Sequence, residues 1–73
     1  MMYKEFVGEK LKFARLNAGY TQKQMSENIQ IRQAQLSKIE NGKQEPDLET
    51  LGQLIDFYEV SADWVLGTGI TKR

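Results

Sequence analysis

The sequence predicts an all-α fold, built from five short helices in a single domain. Apolar residues recur at three- and four-residue spacing along most of the chain, which is typical of amphipathic helices that bury one face. Residues that favour helix ends stand between these stretches, with Thr21 and Ser61 as N-caps and Gly19, Gly42 and Gly67 as C-caps. The chain has 73 residues, so we expect one domain over residues 1–67, followed by a tail or the start of a linker over 68–73.

The first two helices are predicted on either side of Gly19. Helix one runs from about Glu5 to Ala18, and its apolar stripe comprises Val7, Leu11, Ala14, Phe6 and Phe13. We expect Gly19 to end this helix in a left-handed conformation. Helix two begins after Thr21, because Gln24 stands three residues later and completes a capping box. Its buried face consists of Met25 and Ile29, and the chain turns near Gln30 and Ile31.

Three further helices follow that turn. Helix three is predicted over roughly Gln33 to Asn41, with Leu36 and Ile39 pointing inward and polar residues elsewhere. Pro46 and Asp47 open helix four, whose apolar face comprises Leu48, Leu51, Leu54, Ile55 and Tyr58. Ser61 caps a last helix that ends at Leu66, and we expect its apolar residues, Trp64, Val65 and Leu66, to pack in the core.

Composition excludes several classes of function. Neither cysteine nor histidine occurs, which removes disulfides, thiolate chemistry and the commonest metal ligand and general base. We therefore expect no metal site, no cofactor and no enzymatic activity. No apolar run approaches the ~20 residues of a membrane span, and the first residues lack the apolar stretch of a signal peptide. These features favour a soluble, cytoplasmic protein.

The charges are unevenly distributed along the chain. The formal net charge is zero, which counts against a polyanionic partner, since duplex binding draws free energy from displaced counterions. Residues 1–44, however, carry eight basic and four acidic side chains, while residues 45–66 carry six acidic and no basic ones. One face can thus be positive although the sum is zero. Two ordinary solvated helix faces would give the same pattern.

Four blocks of sequence carry a more specific signal than composition does. They are Gly19-Tyr20-Thr21-Gln22, Leu36-Ser37-Lys38-Ile39-Glu40-Asn41-Gly42-Lys43, Pro46-Asp47-Leu48-Glu49-Thr50-Leu51 and Val60-Ser61-Ala62-Asp63-Trp64-Val65-Leu66-Gly67. In this order and spacing the chain resembles the lambda-repressor/Cro type of helix-turn-helix regulator, also called the xenobiotic-response-element family, over about Val7 to Gly67. The resemblance implies a compact five-helix, lambda-repressor-like DNA-binding domain that binds operators, usually as a dimer.

The resemblance also implies which residues contact bases. With its two apolar residues inward, the third helix turns Gln33, Ala34 and Lys38 outward, and these match the main base-reading positions of the family. An amide can hold an adenine edge, an amine can reach guanine acceptors, and a methyl group can touch thymine. Arg32 and Gln35 flank this surface. Any one of these side chains alone would also fit an ordinary solvated helix position.

Other positions match residues that hold the DNA backbone or the protein itself. Gln22, Asn41 and Lys43 resemble phosphate anchors, and Gln22 lies where the start of a helix favours an anion. In the family the position of Gln22 also braces the first reading glutamine. Lys43 is equally compatible with an ordinary loop charge, and Asn41 with a capping residue. Arg15 and Glu40 match a structural ion pair that ties the first helix to the end of the third.

Two departures from the family pattern concern the turn before the third helix. Gln30 stands where glycine is usual, so we expect a non-glycine residue in a left-handed conformation there, at a cost on the order of 1 kcal/mol or more. On this basis Gln30→Gly is expected to raise stability. Arg32 replaces the short residue that usually caps the third helix.

The resemblance favours a homodimer whose interface lies near the end of the chain, at Val65, Leu66 or Ile70. Alternatively, Val65 and Leu66 close the core of a single protomer. The function most consistent with the sequence is a prokaryotic or phage-encoded repressor that binds a palindromic operator of double-stranded DNA. Two alternatives remain: the DNA-binding antitoxin of a toxin-antitoxin pair, and a protein-interaction module that uses the same surface.

Overall fold

The computed structural model describes residues 3–67, and this range contains five α-helices and no strand. The helices are α1 (Tyr3–Ala18), α2 (Gln22–Asn28), α3 (Gln33–Glu40), α4 (Leu48–Tyr58) and α5 (Ala62–Leu66). The predicted all-α class is therefore confirmed. Within residues 3–67, no helix combines the length and the apolar character that crossing a membrane requires.

Side chains cap three of the helices as the sequence predicts. Thr21 and Gln24 form a reciprocal capping box, in which each side chain accepts a hydrogen bond from the backbone N–H of the other, at 3.1 and 2.9 Å. Asp47 Oδ1 accepts from Thr50 N–H at 2.8 Å at the start of α4. Ser61 caps α5 in the same way. Arg32 precedes α3 without a side-chain cap, so the first turn of α3 keeps unpaired backbone donors.

One apolar core joins the helices. Its buried members are Val7, Leu11, Ala14, Met25, Ile31, Leu36, Ile39, Leu51, Leu54, Tyr58 and Val65. The first helix lies at the centre of the fold, because α1 packs against α3, α4 and α5, while α2 packs against α3. The orientation of α3 is therefore set by two other helices.

Three apolar residues expected in the core lie at the surface instead. Leu48 is 86% exposed, because it is the first residue of α4 and lies beside its cap. Phe13 is 61% exposed, since it is one position from buried Ala14 and therefore rotated by about 100° around the helix axis. Trp64 is 36% exposed, and its ring packs on Phe13 with centroids 6.1 Å apart.

The non-glycine residue in a left-handed conformation lies after α4 and not in the turn before α3. Within residues 3–67, Glu59 alone among non-glycine residues has a positive φ, of 58°. The expectation of a left-handed Gln30 is therefore wrong. Ile31 N–H donates to Ile29 C=O at 2.9 Å across Gln30, and such a three-residue turn forms with negative φ at its centre.

Replacing Glu59 with glycine is expected to raise the free energy of unfolding by about 0.5–1 kcal/mol. Glycine adopts the left-handed conformation without the steric cost that a Cβ imposes there. This gain in free energy exceeds the loss that comes from the greater conformational entropy of glycine in the unfolded chain. Gln30→Gly should instead lower stability by a few tenths of a kcal/mol to about 1 kcal/mol, because there only the entropy changes. Urea denaturation measures both, and Glu59→Ala controls for the lost charge. A gain for Gln30→Gly with none for Glu59→Gly would contradict this assignment.

Candidate nucleic-acid interface

The outward face of α3 is open to solvent. Leu36 and Ile39 are both 0% exposed and fix the rotation of the helix. Gln33, Ala34 and Lys38 are exposed on the opposite side. Of the two flanking residues, Arg32 is exposed and Gln35 is half-buried. The side chains that sequence reasoning assigns to base contacts thus share an accessible surface.

The dimensions and chemistry of this face suit a duplex groove. An α-helix with its side chains is about 10–12 Å in diameter, and the major groove is about 12 Å wide and admits a helix. The eight residues of α3 form about two turns that could lie in such a groove. The face offers an amide that both donates and accepts, an ammonium that donates and a methyl group. Groups of these kinds can contact base edges in the major groove, where each base pair presents a distinct pattern of donors, acceptors and methyl groups.

A buried ion pair holds the end of α3 to α1. Arg15 Nε donates to Glu40 Oε2 at 2.8 Å, and Arg15 Nη2 donates to Glu40 Oε1 at 3.0 Å. The two side chains are 8% and 1% exposed. The hydrogen bond to Glu40 raises the pKa of Arg15 above its usual value and outweighs burial, which acts in the opposite direction. The structural pair expected at these positions is present, and it is almost fully desolvated.

Gln22 has a protein partner that sequence reasoning missed. It is the first residue of α2 and is half-buried. Its Nε2 donates to Glu40 Oε1 at 3.0 Å, which joins α2 to the ion pair between α1 and α3. Since 18 positions separate the two residues, no local pattern could indicate this bond.

The residues after α3 form an ordered exit from the helix. Gly42 has a φ of 74°, and its N–H donates to Ile39 C=O at 3.1 Å, while Lys43 N–H donates to Lys38 C=O at 2.9 Å. This is the Schellman arrangement that glycine favours. It fixes the backbone of Lys43 beside the last turn of α3, with its side chain exposed. Asn41 is also exposed, and its Nδ2 lies 3.4 Å from Ser37 Oγ.

The residues expected at a dimer interface, Val65, Leu66 and Ile70, differ in how accessible the structure shows them to be. Val65 is fully buried in the protomer core, so it has no surface to offer a partner, and the alternative reading holds for it. Leu66 is half-buried against that core. Ile70 lies outside the described residues. Among the side chains that the structure describes, the large apolar residues exposed on α1 and α5 are instead Phe13, Leu16 and Trp64.

Tyr58 brings a buried hydroxyl group close to the ion pair. Its oxygen has no hydrogen-bond partner among the residues that the structure describes. Burial raises the pKa of Tyr58 well above its usual value, and the charge of Glu40 acts in the same direction, while Arg15 acts against it. Sequence reasoning placed Tyr58 in the core but gave no signal of this unpaired hydroxyl.

Replacing Tyr58 with phenylalanine is expected to leave stability unchanged or raise it by about 1 kcal/mol at pH 7, because a buried hydroxyl without a partner costs free energy. A raised pKa in the folded state means that stability is complete below the unfolded pKa of about 10 and falls as pH rises above it. The variant should therefore lose less stability than wild type between about pH 10 and 12. Urea denaturation at several pH values measures this; parallel profiles would contradict it.

No group of three or more acidic side chains within residues 3–67 is arranged to hold a metal ion.

The comparisons with known proteins indicate one class of protein, the helix-turn-helix proteins. A family described as helix-turn-helix matches residues 11–65, a range that includes α2, the turn and α3.

Two bacterial proteins illustrate the similarity. The HTH-type transcriptional regulator ImmR of Bacillus subtilis (strain 168) is 44% identical over 61 residues, which cover 84% of this chain and 48% of that protein. The SPbeta prophage-derived uncharacterized HTH-type transcriptional regulator YonR of the same strain is 42% identical over 59 residues, which cover 81% of this chain and 55% of that protein. The chain therefore spans about half the length of the curated relatives it matches.

Proposed function

The chain belongs to the helix-turn-helix family of DNA-binding transcriptional regulators, and from that premise we propose that it recognises an operator by inserting α3 into the major groove. The observation that carries the proposal is the free outward face of α3, with Gln33, Ala34 and Lys38 exposed opposite two fully buried residues. The family is a class of DNA-binding proteins without enzymatic activity, and the proposed action involves no chemical step.

The distribution of charge near α3 supports an approach to DNA with this helix in front, although the net charge of the chain is zero. Between residues 28 and 44 the basic side chains are Arg32, Lys38 and Lys43, and all three are exposed. Glu40 is the one acidic residue in this segment, and it is buried and neutralised by Arg15. The exposed charges of this segment are therefore all positive, although the exposed Glu27 of α2 lines the same surface groove as Arg32. By contrast, all six acidic residues of the segment 45–66 are exposed. Such polarity orients a molecule as it approaches a polyanion.

The contacts are expected to fall into two classes. Gln33, Ala34 and Lys38 read bases, with Arg32 and Gln35 at the edge of that surface. The phosphate anchors are Gln22, Asn41 and Lys43, which position α3 without carrying sequence information. The Gln22 side chain reaches Glu40 at the end of α3, directly before Asn41 and Lys43 in the chain. The three anchors are therefore grouped at this end of the inserted helix.

The finer proposal is a homodimeric repressor. A two-fold dimer places its two recognition helices about 34 Å apart on one face of the duplex, which requires a palindromic operator. The exposed Trp64 and the half-buried Leu66 of α5 support an interface at this end of the protomer. Repression would be steric, through occupation of an operator that overlaps a promoter. Sedimentation with and without operator measures the stoichiometry, and equal affinity for one half-site would contradict the palindrome.

Selection of bound duplexes from a random pool tests the function directly. We expect one enriched motif with two-fold symmetry, whose affinity falls steeply as salt concentration rises. A protein-interaction module would enrich no motif. An antitoxin would enrich one but would also bind a cognate protein partner.

Substitutions then separate the two classes of contact. Gln33→Ala is expected to weaken binding to the selected operator by about 1–3 kcal/mol and to relax selectivity at one base pair. Lys43→Ala should weaken binding to all sequences alike and reduce the slope of log affinity against log salt by about 1. Titrations at several salt concentrations, on the operator and on single-base variants, measure both. Indistinguishable profiles would show that the division is wrong.

A further inference from the structure

The buried carboxylate of Glu40 fixes the orientation of the Gln22 side-chain amide. Gln22 Nε2 donates to Glu40 Oε1 at 3.0 Å. An ionised carboxylate accepts hydrogen bonds and cannot donate them, so the amide must turn its nitrogen towards Glu40. This bond uses one of the two N–H groups and leaves the second N–H and the carbonyl oxygen for another molecule.

Glu40 is held from its other side by Arg15, so it cannot swing away from Gln22. Two guanidinium nitrogens of Arg15 donate hydrogen bonds to the two carboxylate oxygens of Glu40, at 2.8 and 3.0 Å. A third donor, Nη1, binds the carbonyl oxygen of Tyr20 at 2.7 Å, directly before the N-cap of α2. Arg15 therefore holds two groups: the backbone of Tyr20, just before α2, and the carboxylate of Glu40. That carboxylate in turn binds the first side chain of α2.

We infer that Glu40 is a positioning residue for DNA binding, which presents the Gln22 amide to a backbone phosphate. The inference rests on the proposed function and on the anchoring role of Gln22. Glu40 is itself buried and acts through Gln22. An untethered glutamine would sample several rotamers, and ordering it at the DNA would weaken binding. The tethered amide has already lost this freedom and keeps one N–H for a phosphate oxygen.

A double-mutant cycle in duplex affinity tests the coupling. Wild type, Gln22→Leu, Glu40→Gln and the double variant are compared on the selected operator, at a temperature where circular dichroism shows each to be folded. Gln22→Leu should weaken binding about 10-fold. Glu40→Gln should weaken it by a similar factor in the wild-type background, but by little when Gln22→Leu is already present.

Losses that simply multiply would overturn the inference and leave the proposed function intact. A wild type that binds no duplex would overturn both. The two failures are therefore distinguishable in one set of titrations.

Neutral methylphosphonate linkages, placed one at a time, separate positioning from general destabilisation. The phosphate bound by Gln22 is the one whose neutralisation adds nothing to Gln22→Leu, and the phosphate bound by Lys43 is identified with Lys43→Ala. Glu40→Gln should abolish sensitivity at the first phosphate and retain it at the second. Equal loss of sensitivity at both would indicate a structural role alone and overturn the inference.

Should Glu40→Gln fail to fold, NMR of the wild-type protein decides the question. The Gln22 side-chain amide proton that is bonded to Glu40 should exchange slowly with solvent and resonate away from the amide protons of Gln30, which is exposed. Rapid exchange and random-coil shifts at Gln22 would overturn the inference.

Discussion

Glu40→Ala is expected to lower the free energy of unfolding by about 3–5 kcal/mol, the range found when one member of a buried ion pair is removed. The substitution leaves the Arg15 guanidinium buried and without its carboxylate, and it also removes the acceptor for Gln22. Small domains have only about 5–15 kcal/mol of stability in total. Urea denaturation monitored by circular dichroism measures the loss directly.

A matched control and a compensating variant sharpen this prediction. Glu27 is an exposed acidic residue of α2, and Glu27→Ala should change stability by no more than about 0.5 kcal/mol. Combining Glu40→Leu with Arg15→Met removes both charges. This double variant should recover much of the lost stability, because replacing a buried ion pair with well-packed apolar residues is often neutral or stabilising. An unchanged melting temperature for Glu40→Ala would show that the pair does not stabilise the fold.

Gly8→Ala is expected to destabilise the protein by about 3 kcal/mol, at the upper end of the usual range for overpacking. Gly8 is buried where α1 crosses the end of α3, and an added Cβ would overlap the carbonyl oxygen of Ile39 and lie 3.2 Å from that of Glu40. Both obstacles are backbone atoms, so the two helices would have to move apart. This cost exceeds the ~1 kcal/mol that alanine gains over glycine inside a helix.

Gly52 provides the control, because it is also a helical glycine but is exposed, and a Cβ there would meet nothing within 4 Å. Gly52→Ala should therefore raise stability by about 0.5–1 kcal/mol. Thermal and urea denaturation of both variants test the pair. A gain for Gly8→Ala as well would mean that α1 and α3 do not approach as closely as the structure has them.

Local chemistry explains why much of the fold was predictable from the sequence. The capping box of Thr21 and Gln24 lies within four residues, and Leu36 and Ile39 are adjacent on one side of α3, so each signal is visible in a short window. These features are enough to place the helices and to orient the recognition face. They do not report how close two helices come.

The features that sequence reasoning missed depend on contacts between distant segments. From the sequence alone, Gly8 is a residue that lowers the stability of the helix that contains it. The structure shows that glycine is needed there, because the backbone carbonyl groups at the end of α3 lie against it. The bond from Gln22 to Glu40 joins separate elements in the same way. The expectation at Gln30 is wrong for another reason. The family's preference for glycine at this position is not a requirement of the fold, because this turn closes without a left-handed residue.

The cluster around Trp64 gives the molecule an intrinsic optical reporter. Trp64 is the one tryptophan of the chain, and its indole lies beside Phe13 and 4.6 Å from the Lys10 ammonium, which also lies over Phe6. Ultraviolet-excited emission therefore senses whether α5 remains docked on α1, while helical ellipticity is dominated by the longer helices. Comparing the two signals during unfolding reveals whether the last helix detaches before the rest of the fold.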